Sequence, residues 1–577
     1  MGEQQLWQVT QGLYADDGGK LLGRARDLID AQEKALPLAG IAIRLSGTLE
    51  KPGPPQPIKG EVFCSLPIRQ SLSLPVHING YFDLDASRHA LTDDPKVAGL
   101  INKARLEWNE FLLQHAVAVA YAEGIQEATQ YVPASSHESA QAYYDVWPQS
   151  QEGGGRLREL LGNAVYEQLS TRPSLCAAVA QSACWVPVTD GWLIPADWHA
   201  ALVSPLMASA WTVVDPQPPE WVIQGFEGAK IKVCHLHPVD LAKRLRMSAD
   251  IDCDLANATV PCLRQRDSIE AILRFCITDA KVDLKGLPLA ILCDDKLHTF
   301  GFNKTGPIFT ANKKQRTIFA LRPYDFIDPG FYEATGLGAL KDDPCLLRMT
   351  PEQVMARLSL LPFTSERPAN WNPSGDAFPN ERWLHELLSY LNQLAGFSLK
   401  AYKKQLEVLP LVPDQFGQIH TPWNTGTPLL PTDDIENGHL RRALDKIEIP
   451  IVSGGKALLG EFRRLHEAHP DAFVWSLSGP DLVDCLSGCD ADHLRAMRFS
   501  STVHAPLLNY ISDSRWCQTP SGTRFSAKQV EILRALPLLP TEQGDAVAAK
   551  AARRIARLAG VLRVLRERRR GHEIGRA

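Results

Sequence analysis

From Val76 to Leu84 apolar and polar residues alternate without a break: Val76, Ile78, Gly80, Phe82 and Leu84 on one parity, His77, Asn79, Tyr81 and Asp83 on the other. Period two over that length specifies a strand with one buried face, because successive side chains of a strand point to opposite sides. A slip of one residue would turn the whole apolar set to solvent, so the pattern also fixes the register. The strand runs into a polar loop, "DLDASRHALTDD", whose basic residue is Arg88.

A change of period follows. In "ARLEWNEFLLQHAVAVAYAEGI", Trp108, Phe111, Leu112, His115, Val119 and Ala122 recur at three-to-four spacing, the stripe of an amphipathic helix. With the β-rich "GIAIRLSG" (40–47) and "KGEVFCSLPI" (59–68), this predicts an α+β layer domain over residues 1–150, with helices on one face of a mixed sheet.

Punctuation divides the rest. "KPGPPQP" (51–57) is a loop between strands, "PQSQEGGG" (148–155) is the strongest expected boundary, and "DPQPPE" (215–220) and "RPANWNPSGDAFPNE" (367–381) break the later chain. The expected arrangement is 1–150, then α+β regions at 151–365 and 366–545, then a basic tail at 546–577. Within these regions one element recurs: an aliphatic strand, a polar turn, and a second short strand. It appears in "CWVPVTDGWLIPADW" (184–198), "LPLAILCDDKLHTF" (287–300), "LPLVPDQFGQIHTPW" (409–423) and, incompletely, "LPLLPTEQGDAVA" (536–548). The central Asp-Gly, Asp-Asp and Gly-Gln pairs suit hairpin turns. The elements read either as one repeat alternating with helices such as "ERWLHELLSYLNQLAGF" or as four unrelated hairpins.

A chain of 577 residues calls for several cores, and its 45% hydrophobic and 22% charged content is that of a globular protein. A net charge of −5 argues against a dedicated nucleic-acid binder. The polar start "MGEQQLWQVTQGLYADDGG" carries no secretory signal, and no apolar run is long enough to span a bilayer, so a cytoplasmic location is expected. The twelve cysteines sit mostly inside apolar runs, as buried reduced thiols do. Cys485, Cys489 and His493 would share a helix face at i, i+4 and i+8, but zinc wants four ligands and no fourth is near. No metal site is assigned. The paired histidines of "HLHPVD" (235–240) and "HEAH" (466–469) read as capping or surface residues, "NKTG" (303–306) as a coincidence, and the glycines of "GLGAL" (336–340) as a loop.

Taken together, "GEVFCSLPI", "SLPVHINGYFDLDASRHAL" and "LEWNEFLLQHAVAVAYAEGI" are similar to the segment that follows the nucleotide-binding domain in the sacsin family, including its prokaryotic relatives. There a "LPVHINGxFxLxxxR" strand-loop precedes a "WN" helix. The resemblance is specific over residues 36–126, and the later "LPLAILCDDKLHTFG" and "LRALPLLPTEQGD" look like further pieces of the same repeats. It implies a chaperone-like protein of the Hsp90-type (GHKL) ATPases, whose middle-like (S5-like) domain would be residues 1–150. The acidic-plus-Asn helix, "DxGxG" and glycine-rich lid of that ATPase are not found in the sequence. The expectation is therefore no cofactor site in this chain, with ATP and Mg²⁺ entering through a partner domain.

In such ATPases the domain after the nucleotide pocket supplies a cation to the γ-phosphate, and by position Arg88 is the equivalent residue, acting in trans. A guanidinium suits that task, being always charged and able to bind bidentately. The other reading of Arg88 is a surface charge paired with Asp83, Asp85 or Asp93. The function expected is the non-catalytic portion of a sacsin-like chaperone or scaffold, coupling an ATPase subunit to protein clients, alone or as an oligomer. Two alternatives stand beside it: a bacterial defence or stress component that recognises a foreign protein or nucleic acid, and a hydrolase whose site the sequence does not reveal. The tail has nine arginines and Lys550 against Glu567 and Glu573. As a helix it aligns Ile555, Leu558, Leu562 and Leu565, a face for lipid, nucleic acid or an acidic partner. It reads equally as a frameshifted end that interrupts the fourth hairpin.

Overall fold

The alternating segment supplies a central strand of a mixed sheet in the computed structural model, but only over His77–Gly80, about half of the Val76–Leu84 length expected. The structure describes residues 5–548 except 16–17, 31, 92–99, 134–136, 150–154, 181, 248–252, 302–306, 341–342, 362–370, 377, 395–398, 423–426, 432–437, 469–473, 475–476, 491, 494–499, 514–524 and 541–545. The basic tail beyond residue 548 and the "NKTG" segment lie outside the described residues. The fold class is α+β, as expected. Two units make up the chain, one formed by Met1–Ile291, Asp295–Gly306 and Asp328–Lys341, the other by Leu292–Asp294, Pro307–Ile327 and Asp342–Ala577.

The first unit opens with β1 (Leu6–Leu13), α1 (Lys20–Asp30), β2 (Leu38–Gly47), β3 (Pro52–Gln56), β4 (Val62–Cys64), β5 (Leu66–Pro67) and β6 (His77–Gly80). The sheet order is β1-β2-β6-β4-β5. β3 shares one edge of β2 with β6: Ala39–Ala42 pair with β6, and Arg44–Gly47 pair with β3. β4 runs parallel to β6 while β2 is antiparallel to all its neighbours. The sheet buries Ile41, Ile43, Val62 and Ile78. Backbones approach closely beside it at Gly60, whose N–H donates to the Leu74 carbonyl at 2.8 Å. A Cβ on Gly60 would stand 1.9 Å from the Val76 carbonyl oxygen.

Against this sheet lies a long helical rod: α2 (Leu100–Leu112), a π-helical turn at Leu113–Val117, and α3 (Ala118–Ala128). α3 packs on β1 and β2 on one side and on α5 on the other, with α4 (His137–Tyr144) and α5 (Arg156–Leu169) completing the layer. It is accordingly buried nearly all round, at Ala118, Ala120, Tyr121, Ala122, Gly124 and Ile125. The same buried cluster continues from Leu21 to Val233, through the expected boundary at 148–155. Aromatic rings carry it across: Trp147 lies 5.9 Å from both Tyr166 and Phe226, which are 5.0 Å apart. The buried hydroxyls of Tyr121, Tyr143 and Tyr166 each donate to a backbone carbonyl, at 2.7, 3.0 and 3.0 Å, so these three tyrosines enter the core with their donors met, while the Trp147 indole N–H is buried without a hydrogen-bond partner among the described residues.

Later in this unit stand β7 (Leu175–Val179), β8 (Ser182–Val186), α6 (Ala196–Ala208), β9 (Val213–Val214), α7 (Glu220–Gly228), α8 (Pro238–Met247), β10 (Cys253–Asp254), α9 (Arg266–Cys276), β11 (Ala290–Ile291) and β12 (Lys296–His298). The hairpin expected at 184–198 does not form. β8 pairs with the preceding β7, while Trp192 and Leu193 bridge in parallel to Val213 and His235. The "TDG" turn is present, closed by Asp190 N–H to the Pro187 carbonyl at 3.0 Å, but it joins segments with different partners. The second hairpin does form, as β11 with β12.

The second unit contains β13 (Ile308–Thr310), α10 (Lys313–Ile318), β14 (Leu346–Arg348), α11 (Pro351–Leu358) and α12 (Glu381–Gln393). It continues with β15 (Val412–Pro413), β16 (Ile419–His420), α13 (His439–Lys446), α14 (Lys456–Ala468), α15 (Gly479–Leu486), α16 (Ser501–Ile511), α17 (Ala527–Ala535), β17 (Pro537–Pro540) and β18 (Ala546–Ala548). α11 begins with a capping box between Thr350 and Gln353 and Pro at its first position, a start written in the sequence. β15–β16 is the third expected hairpin. The fourth is complete: Ala546–Ala548 pair antiparallel with Pro537–Pro540 and supply the second strand the sequence was expected to lack.

Candidate functional site

Arg88 sits at the tip of a turn that its neighbours build and anchor. After β6, the Tyr81 carbonyl accepts from Trp108 Nε1 at 2.9 Å. Asp83 is then gripped twice by Asn109: its N–H donates to Oδ1 and its carbonyl accepts from Nδ2, both at 2.8 Å. Trp108 and Asn109, on α2, are 1% and 0% exposed, so the adjacent pair "WN" is a buried clamp on the exit of the strand. Each such bond contributes about 1 kcal/mol net, and leaving its partner unmet costs more.

Beyond the clamp the chain folds back on itself. Leu84 bridges to Leu91, and the Asp85 N–H donates to the Ala90 carbonyl at 2.9 Å. The Asp85 carboxylate organises the tip, accepting from Ser87 Oγ at 2.6 Å, His89 N–H at 2.9 Å and Ala90 N–H at 3.2 Å. These bonds, led by the Ser87 hydroxyl, hold its carboxyl below the usual aspartate range. The far limb is tied to Gln70, whose Oε1 accepts from Leu91 N–H at 2.5 Å. Arg88 has the left-handed φ of 58°, and its N–H donates to the Asp85 carbonyl at 2.9 Å. Its side chain is exposed and pairs with no described carboxylate. Asp85 is occupied by the turn, and Asp83 faces Arg105, whose Nη2 donates to Glu33 at 2.6 Å. Asp93 lies outside the described residues. The arrangement is a guanidinium presented to solvent on a braced turn, able to meet an anion brought to it.

The other expected groups come apart. α15 ends at Leu486, so Cys485 and Cys489 do not share one helix with His493, which turns to Asp490 at 3.1 Å. Burial pushes the Cys485 and Cys489 thiols up to about 12 and about 11. Among the described residues no cluster of three His, Cys, Asp or Glu could hold a metal ion. His235 lies 3.5 Å from Glu227, and the His237 carbonyl accepts the first N–H groups of α8. His466 Nδ1 stands 3.1 Å from the Val474 carbonyl; His469 lies outside the described residues. Gly336 of "GLGAL" ends the helix Pro329–Thr335 at φ 72°, a C-cap. The roles of Trp108 and Asn109 carry no local signature, since their partners are up to 27 residues away.

Human sacsin is similar to this chain, 31% identical over 115 residues, a stretch that makes up 20% of the chain and 2% of sacsin. No family model and no solved structure matches. The chain therefore has a distant, sacsin-like relationship confined to about a fifth of its length.

Proposed function

We propose that this chain is a non-catalytic, sacsin-like chaperone or scaffold component, which couples an Hsp90-type ATP-binding domain to protein clients. The observation that carries this reading is Arg88, exposed and without a described carboxylate, on a turn braced by Asp85, Gln70 and the Trp108–Asn109 clamp. A cation held on a stiff arm is what a γ-phosphate contact requires, because the charge must meet the developing negative charge without reorganising. ATP and Mg²⁺ would be held by the partner domain, and Arg88 would reach the phosphate from this side.

The test is steady-state ATP hydrolysis by the full chain fused to, or mixed with, a sacsin-type nucleotide-binding domain. Arg88→Ala should lower kcat by about 10²-fold with little change in KM, and Arg88→Lys should restore part of it. Turnover that is indifferent to Arg88→Ala overturns the role. So does ATP hydrolysis by the chain on its own.

A further inference from the structure

A second cationic feature lies in the other unit. A cleft of about 480 Å³ is lined by Lys313, Arg316 and Arg382, with Asp376 as the acid among its described lining residues and with Phe378 and Trp383 as its aromatic wall. Its walls are fixed to one another. Trp383 Nε1 donates to the Ile318 carbonyl at 2.7 Å, stapling the first turn of α12 to the end of α10. Asn380 accepts from Trp383 N–H at 2.9 Å and donates to the Gly375 carbonyl at 3.0 Å, which holds the loop bearing Asp376 and Phe378.

The charge of this cleft is not spent internally. Lys313, Arg316 and Arg382 pair with no described carboxylate, and Arg316 uses one nitrogen on the Ala311 carbonyl at 2.5 Å, leaving the rest of its fork. Glu381, the acid nearest in sequence, accepts from the Gly455 N–H at 2.8 Å and does not line the cleft. The first turn of α12 adds the positive end of a helix dipole to the same space. Three cations against one carboxylate, with a half-buried ring beside them, match a phosphate attached to an apolar or aromatic body.

We propose that this cleft binds a small organic phosphate, its phosphate on Lys313, Arg316 and Arg382 and its organic part against Phe378. Arg88 is not among the residues that line the cleft and belongs to the other unit.

Titration calorimetry of the full chain with AMP, inorganic phosphate and adenosine at low ionic strength tests it. AMP is expected to bind with a Kd of about 100 µM or tighter, inorganic phosphate more weakly, and adenosine not measurably. Lys313→Ala with Arg382→Ala, both exposed positions, should weaken AMP by at least about tenfold with an unchanged melting temperature. Phe378→Leu should bring AMP to the affinity of inorganic phosphate. Arg88→Ala should leave AMP binding as it is. The proposal is overturned if neither AMP nor phosphate gives heat, if the double variant binds AMP as tightly as the parent, or if Arg88→Ala abolishes binding. AMP affinity unaltered by Phe378→Leu overturns the assignment of the organic part.

Discussion

Asn109 and Asp83 exchange two hydrogen bonds of 2.8 Å, one in each direction, so a single buried amide satisfies both backbone groups of the residue that leaves the strand. Replacing Asn109 with Leu keeps the branched outline of the side chain and removes both partners. The expected cost is about 2 kcal/mol or more, because two backbone groups lose their bonds where water has little access. Urea unfolding should show a lower midpoint for the transition of the first unit. Amide exchange should accelerate at 83–91 and leave α12 unchanged. An unaltered loop would mean that Trp108 alone holds it.

The turn carrying Arg88 should depend on pH through Asp85. Its carboxyl is held below its ordinary value by Ser87 Oγ and the His89 and Ala90 N–H groups, so the charged form is favoured in the folded turn. A depressed folded value means a contribution that is complete above the unfolded aspartate value of about 3.9 and is lost as pH falls through the lower folded value. Protection of the His89 and Ala90 amides, relative to their intrinsic exchange rates at each pH, is therefore expected to be high at neutral pH and to fall only in strong acid. In Asp85→Ala these two amides should show little protection at any pH. Loss of protection starting near pH 6 would point to a histidine instead.

What could be read from the sequence was local. β6 and the α2–α3 rod were legible because periods of two and 3.6 report a buried face directly. The 287–300 and 409–423 hairpins were legible because turn chemistry sits between their strands. The 184–198 element looked the same, yet its halves pair with Leu175–Val179 on one side and with Val213 and His235 on the other, partners that no local pattern names. β1 went unread because its inward positions include Gln8 and Thr10, which bond to Glu127 at 3.3 and 2.8 Å instead of packing on an apolar surface. Of the candidate site, Arg88 was visible by its place after the strand. The clamp and the Lys313–Arg382 cleft were not, since both join residues from separate segments.

In the second unit, Asp325 is fully buried between two arginines. Arg322 Nε lies 2.8 Å from Oδ2 and its Nη2 3.3 Å from Oδ1, while Arg357 Nη1 is 2.8 Å from Oδ2. Arg357 also lies over the Phe309 ring at 4.3 Å, and burial lowers its pKa. Asp325→Asn removes the buried carboxylate that two buried guanidinium groups share. Removing one member of such a network costs about 3–5 kcal/mol, more than the intact network contributes over an apolar replacement. Thermal unfolding should therefore show the second unit melting first in Asp325→Asn. Recovery on adding Arg357→Met would identify the unmatched charge as the cause.

Gly60 tests the packing beside the sheet. Its absent side chain makes room for two carbonyls, Val76 at 1.9 Å and Leu74 at 2.6 Å from where a Cβ would stand. Both are backbone of the segment that becomes β6, so neither can rotate away. Gly60→Ala should cost about 1–3 kcal/mol by forcing the backbones apart. It should also disturb the register of β4 with β6, readable as faster exchange at Ile78, whose N–H donates to the Glu61 carbonyl at 3.0 Å. Normal protection there would show that the loop before β4 yields without moving the strand.

Cys485 and Cys489, both partly buried, should react slowly as thiols. The Cys485 thiol is pushed up to about 12, first by burial and then by the nearby Asp481 and Asp484 carboxylates; Cys489 reaches about 11 by burial and Asp490. Only the thiolate attacks, so at mildly alkaline pH both should be alkylated by iodoacetamide about 10²–10³-fold more slowly than an unperturbed thiol. The difference should vanish in denaturant, as followed by peptide mass spectrometry. Cys485→Ala, which removes a partly buried sulfur and no ligand, should lower stability slightly whether or not zinc is added. Protection of both thiols by zinc against alkylation, together with a rise in melting temperature that Cys485→Ala abolishes, would restore the metal-site reading that the end of α15 at Leu486 argues against.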